Sequence, residues 1–151
     1  ILGSILITIS LIDLKHRIVP DSLNIAVAII GIGFIVCDGS TISDRLIGAL
    51  TGFALFFAIA LITGAMGGGD IKLIAGLGLT FGVEGVLFIV FFSFVIGAVI
   101  SVVLLITKIK GRKDEIPFAP FISAAALLYI FYGAEIINLY VNVHSLLITR
   151  A

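Results

Sequence analysis

Long apolar runs separated by short polar punctuation organise this chain: Ile1 to Ile12, Leu23 to Cys37, Leu46 to Met66, Ile71 to Phe81, Val86 to Ile109 and Pro117 to Tyr132. Continuous apolar runs of this length predict helices, and six are expected. The first is cut short by the start of the chain. The run after Asp70 holds only about eleven residues against the roughly 20 that a spanning helix needs, so the fourth helix is expected to be short, tilted or partly re-entrant. Turn chemistry supports the divisions. Pro20 with Asp21 and Ser22 is a helix-start signal, and Thr41, Ser43 and Asp44 offer caps before the third helix. The tail from Ala134 to Ala151 carries Glu135, Asn138, Asn142 and His144 among aliphatic residues; it either continues the sixth helix or lies along an interface.

Composition turns these helices into a membrane prediction. Of 151 residues 61% are hydrophobic and 12% charged, and the mean hydropathy is +1.35. Soluble domains are only about half apolar. The expected fold class is therefore an all-α polytopic transmembrane helix bundle forming a single domain over residues 1–151, with its function inside the bundle or in its short loops. Nine Lys plus Arg balance nine Asp plus Glu, which gives no reason to expect a nucleic-acid partner. Cys37 is the only cysteine, so neither an internal disulfide nor a Cys-x-x-Cys metal site can form within these residues. The chain opens at Ile1 in an apolar stretch with no basic leader, as expected of a mature fragment or a trimmed piece.

The placement of charge orients the bundle. Lys15 and Arg17 fall in the first loop, Lys72 beside the third, and Lys108, Lys110, Arg112 and Lys113 in the fifth, while Arg45 lies opposite with Asp38, Asp44 and Glu84. The positive-inside rule makes the first, third and fifth loops cytoplasmic. Asp13 and Asp70 then share that face.

These two carboxylates are the candidate chemistry. Asp13 ends the first apolar run, and Asp70 opens the fourth after the triplet Gly67-Gly68-Gly69. Two carboxyls in one partly desolvated site do not both ionise easily, so one holds a proton and the other does not. Such a pair can act as acid and base on one water. The three glycines permit positive φ and close approach of another backbone. The alternative is structural: a glycine loop, Asp70 as an N-cap and Asp13 as an interfacial charge. Lys72 either tunes Asp70 or snorkels to the interface. His16 lies in a basic loop and is left off the site, and Asp21, after Pro20, reads as a helix cap. Pro117 and Pro120 either leave carbonyls unpaired near the site or simply start a helix.

Here the chain resembles a known family. Gly67-Gly68-Gly69-Asp70-Ile71-Lys72-Leu73 is similar to the Gly-x-Gly-Asp-x-Lys motif of type IV prepilin peptidases. Asp13-Leu14-Lys15-His16-Arg17-Ile18-Val19-Pro20 resembles the family's first-aspartate motif, and Ile116-Pro117-Phe118-Ala119-Pro120-Phe121 its late Pro-Phe-x-Pro signature. The resemblance implies an intramembrane aspartyl endopeptidase that removes the leader of prepilin or pseudopilin precursors at the cytoplasmic face of the plasma or inner membrane. Asp13 and Asp70 match its catalytic pair, and Gly67, Gly68, Gly69, Lys72, Pro117 and Pro120 its site-shaping positions. It further implies hydrolysis by water without metal, nucleotide or other cofactor, with membrane lipid and the precursor peptide as partners. Bifunctional members carry a cysteine-rich loop and methylate the new N-terminus. Without those cysteines, this chain is expected to be a peptidase only.

Two other readings make different demands. A presenilin-like protease should show an aspartate within an earlier helix and a downstream Pro-Ala-Leu, and the chain has neither. A small ion-coupled transporter or channel using Asp13 and Asp70 as proton or cation sites requires polar residues across the bundle, whereas Leu46 to Ala60 and Val86 to Ile100 offer few. No feature assigns an oligomeric state.

Overall fold

The computed structural model describes the backbone of residues 1–37, 42–64, 66–107 and 116–148, with side chains except at 37, 134 and 137–148. Every regular element among the described residues is helical. The elements are α1 (Leu2–His16), α2 (Asp21–Cys37), α3 (Ile42–Thr63), α4 (Gly68–Ile106) and α5 (Ala119–Ile148). The basic cluster at Lys108, Lys110, Arg112 and Lys113, together with Asp38, Asp114, Glu115 and Arg150, lies outside the described residues. The same holds for the side chains of Cys37, Asn138, Asn142 and His144.

Five continuous elements stand against the six expected helices because α4 joins two helices across a kink, with one glycine in place of the expected loop. Gly82 has φ 72° and ψ −168° inside α4, a left-handed-φ conformation open to a residue without a Cβ. Ile74 and Val86 would stand about 18 Å apart on a straight helix. Yet a Cβ built on Gly52 of α3 would meet the Ile74 carbonyl oxygen at 3.1 Å and Val86 Cγ2 at 2.9 Å. The chain therefore doubles back at Gly82. The short fourth helix expected over Ile71 to Phe81 is the first arm of this element, ended by the kink at Gly82. Of the two courses open to the tail, the backbone takes the helical one: α5 continues through Ile148.

A chain reversal exposes helix-end groups, and α3 satisfies them. Arg45 Nη1 donates to the carbonyls of Thr80 and of Leu79, the latter at 3.4 Å, where the first arm ends. The carboxylate of Asp44 accepts from the Val83 N–H at 3.4 Å, where the second arm begins. Arg45 also lies over the Phe34 ring at 5.5 Å, a cation–π arrangement.

The core runs through the bundle's centre. Leu6 and Ile9 of α1, Val27 of α2, Phe56 of α3, Leu73, Leu77 and Ile89 of α4, and Ile122 of α5 have no exposed surface. α4 packs against α2, α3 and α5, and α1 completes the bundle against α5 and α2. The outside is apolar as well: Leu11, Ile29, Leu50, Leu61, Ile62 and Phe131 are each exposed by 62–84%. α3 and α4 are long and apolar enough to cross a membrane. Such a surface suits a hydrocarbon solvent.

Candidate active site

Three junctions meet at one end of the bundle and carry the sequence-predicted residues there. At the first, α1 stops because Arg17 takes left-handed backbone (φ 55°, ψ 38°), and its N–H closes on the Asp13 carbonyl at 2.8 Å. Asp13 thus occupies the last turn of α1. It faces inward, with 5% of its surface exposed.

Asp13 is held from a distant part of the chain. Its Oδ2 accepts the Ala119 N–H at 3.2 Å. The first turn of α5 explains why that donor is free: Phe121 and Ile122 donate to the Phe118 carbonyl at 2.9 and 3.2 Å, and Pro120 has no N–H. Ala119 keeps an N–H for Asp13 at the positive end of the helix dipole. Phe118 anchors this turn, with ring centroids 5.9 Å from Phe56, 5.2 Å from Phe94 and 5.7 Å from Phe121. Of the two readings of Pro117 and Pro120, the structure favours the helix start. What that start presents to the site is a backbone donor.

At the third junction Gly67 is the N-cap of α4 in extended backbone (φ −76°, ψ 150°), and Asp70 is the third helical residue. Asp70 is therefore not the N-cap. Its carboxylate reaches back to the Gly67 backbone, as an acidic residue does at this position of a capping box. Asp70 is 8% exposed, and its Oδ1 has no hydrogen-bond partner among the described residues. The α1–α2 junction that follows Asp13 packs on the residue before Asp70, with Val19 against Gly69. Two buried carboxylates from separate helices thus share one neighbourhood.

The glycine triplet does not use positive φ, which occurs among the described glycines at Gly64 and Gly82. Its use is close approach, and at one position. A Cβ on Gly69 would lie 2.7 Å from Val19 Cβ and 3.2 Å from the Val19 carbonyl oxygen, whereas one on Gly68 would meet nothing within 4 Å. At Gly67 the nearest atom would be Asp70 Oδ2 at 3.7 Å, an ordinary contact. Gly69→Ala is expected to push the α1–α2 junction off the start of α4 and lower activity at least tenfold, a loss of about 1.4 kcal/mol. Gly68→Ala should keep wild-type activity and gain up to about 1 kcal/mol from helix propensity. Parallel activity and thermal-unfolding measurements on the two variants check this.

Lys72 does not pair with Asp70. Its Nζ binds Asp21 Oδ1 at 2.7 Å, with the two side chains 57% and 65% exposed. An ion pair this exposed contributes about 0–1 kcal/mol. Asp21 is the first residue of α2, a helix-start position, and gains this partner as well. His16 is exposed in the last turn of α1, away from any buried role. Among the described residues no group of three or more His, Cys, Asp or Glu side chains is placed to hold a metal ion.

Two features of this end were not read from sequence. The Ala119 N–H carries no side-chain signal, although the proline beside it limits the competing donors. Asn24 is buried at 5% exposure and donates through Nδ2 to the Gly69 carbonyl at 3.2 Å. A polar residue inside the apolar run after Leu23 was its available signal.

Residues 1–102 match the model of the type IV leader peptidase family. A Xanthomonas campestris protein named prepilin leader peptidase/N-methyltransferase is 31% identical over 94% of this chain and 52% of its own length. Proteins of the same name from Bacillus subtilis (33% identity, 92% of this chain, 57% of the relative) and Legionella pneumophila (34%, 91% and 50%) are also similar. The chain spans about half the length of these curated relatives. No solved structure matches it. With residues 1–102 matched and those of the site among them up to Lys72, the chain belongs to the type IV leader peptidase family.

Proposed function

We propose that this chain is an intramembrane aspartyl endopeptidase that removes the leader from prepilin or pseudopilin precursors at the cytoplasmic face of the cytoplasmic membrane. The observation that carries the reading is the placement of buried Asp13 and Asp70, from helices far apart in sequence, at the same end of an apolar bundle. Lys15, His16, Arg17 and Lys72 gather at the same end, in line with a cytoplasmic placement.

In this reading one carboxyl of the pair is ionised and the other protonated. The carboxylate takes a proton from a water whose oxygen attacks the scissile carbonyl carbon, while the protonated partner donates to the carbonyl oxygen. Collapse of the tetrahedral intermediate breaks the C–N bond, and a proton passes to the leaving amine. No acyl-enzyme forms. Peptide hydrolysis is the whole of the proposed activity for these 151 residues. Because the pair works with one shared proton, cleavage is expected to follow a bell-shaped pH profile. Acid protonates both carboxyls and removes the base; alkali ionises both and removes the acid. A profile of kcat/KM against pH with reconstituted protein checks this.

The transporter reading gains no support from two of the buried hydroxyls. Buried Thr80 and Ser93 donate to their own helix backbone, at the Gly76 and Ile89 carbonyls, and do not form part of a polar path. The decisive experiment is co-expression of the chain with a prepilin in cells lacking their own leader peptidase, followed by N-terminal sequencing of the pilin. Removal of the leader is expected. An intact leader beside membrane-inserted, folded enzyme would overturn the proposal.

A further inference from the structure

We propose that Asn24 is a positioning residue for the dyad, holding the peptide unit that carries Asp70 against the helix that follows Asp13. The inference rests on the peptidase reading and adds what fixes one carboxyl relative to the other. Asp70 follows Gly67, Gly68 and Gly69 at the start of α4, and successive glycines restrain their own backbone weakly. A carboxyl mounted there needs a tie from outside the helix.

Asn24 supplies it, because its Nδ2 donates to the Gly69 carbonyl at 3.2 Å. The Gly69 carbonyl and the Asp70 N–H belong to one planar peptide unit, so a bond to the oxygen also fixes where the Asp70 Cα stands. The other edge of that unit is held too, since the Asp70 N–H donates to the Gly67 carbonyl at 3.1 Å. Asn24 itself closes the first turn of α2, where its N–H donates to the Pro20 carbonyl at 3.2 Å. Between that turn and the end of α1 lies only the short junction whose Val19 packs on Gly69. One side chain thus joins the junction after Asp13 to the peptide unit of Asp70.

Two other contacts join the same elements, and neither has this direction and shelter. The Asp21–Lys72 pair is exposed on both sides, so solvent weakens it. Val19 against Gly69 limits how closely the backbones approach but does not orient them. Asn24 is 5% exposed, and a hydrogen bond from a buried amide is both directional and little weakened by water. Precision of this kind matters to a reaction that two carboxyls share, because a misplacement of about 1 Å can cost roughly 10²-fold in rate.

The test uses the full chain in phosphatidylcholine nanodiscs and a synthetic peptide spanning a prepilin leader junction, with rates scaled to the folded fraction. Asn24→Leu removes the donor and keeps the bulk; it is expected to lower kcat about tenfold and leave KM within about twofold, since the peptide still binds while the carboxyl is misplaced. Asn24→Ser, whose hydroxyl ends one bond short of the Gly69 carbonyl, should do the same and replaces the leucine variant if that one does not fold. Asp21→Asn, which removes the charge from the exposed pair, should leave kcat within about twofold. A folded Asn24 variant with wild-type kcat, or with a defect confined to KM, would overturn the positioning role and leave the peptidase reading standing. An equal loss of kcat in Asp21→Asn would overturn it as well, in favour of the exposed pair. Spin labels at His16→Cys and Gly68→Cys, on a Cys37→Ser background, give a readout without substrate: His16 is exposed and a Cβ at Gly68 meets nothing within 4 Å. Their distance distribution is expected to broaden in Asn24→Leu, and an unchanged distribution would overturn the tie. Failure of the wild type to cleave any junction peptide would instead overturn the peptidase reading, and the catalytic role of Asn24 with it, whatever the labels show.

Discussion

Asp13→Asn and Asp70→Asn are each expected to reduce leader cleavage by roughly 10²–10⁴-fold or more while leaving the bundle folded. The two losses should be similar and far from additive, because a pair that shares one proton fails as a unit when either member is neutralised. The fold should survive for reasons specific to each site. Asparagine keeps a carbonyl oxygen where Asp13 Oδ2 accepts the Ala119 N–H at 3.2 Å, so the tie between α1 and α5 can persist. At Asp70 the Oδ1 atom has no partner to lose among the described residues, and an amide oxygen can still face the Gly67 backbone. Cleavage of a prepilin by purified variants, scaled to the folded fraction from thermal unfolding, checks the expectation. Either variant cleaving within tenfold of the wild type would remove that residue from the reaction.

The second large effect lies at the opposite end of the bundle. Gly48→Ala is expected to destabilise the protein by about 3 kcal/mol or more, since overpacking against rigid backbone lies at the upper end of such costs. A Cβ at Gly48 would stand 2.5 Å from the Gly82 carbonyl carbon and 2.8 Å from the Gly78 oxygen. These are backbone atoms of α4, which cannot swing aside as a side chain can. Gly78 presses back on the backbone of Gly48 and Ala49, so the contact is reciprocal. Separating the helices here would also loosen Asp44 from the Val83 N–H and Arg45 from the Thr80 and Leu79 carbonyls, less than two turns away on α3. Gly33→Ala is the control, because a Cβ there meets nothing within 4 Å. Thermal unfolding in detergent should show a large drop for Gly48→Ala and none for Gly33→Ala. Equal unfolding temperatures for the two variants would show that this crossing relaxes more easily than its geometry suggests.

The spacing behind that crossing was present in the sequence. Gly48 and Gly52 stand four residues apart on α3, the small-xxx-small pattern by which apolar helices approach closely. The pattern cannot name the partner, because α3 could bring its glycine face to any neighbour. The expected interruption between Phe81 and Val86 is present at Gly82 but is shorter than a loop, for a related reason. A single glycine can reverse the chain when another helix supplies the caps, and those caps, Asp44 and Arg45, lie far away in sequence. Lys72 shows the same limit. Two residues from Asp70 it invites pairing, yet on a helix i and i+2 do not face each other, and Lys72 points to Asp21 instead.

The sequence by itself determined that the chain is helical and apolar, where most helices start and stop, and which two carboxylates are candidates for chemistry. Those properties follow from run length, from proline and glycine, and from the cost of charge in an apolar solvent, all of which act locally. Only the tertiary structure decided that Asp13 is held by the Ala119 N–H, that Gly69 and not Gly68 is sterically required, and that Asn24 donates to the Gly69 carbonyl. Each of these depends on contacts between residues tens of positions apart, and no local pattern encodes which distant backbone will arrive there.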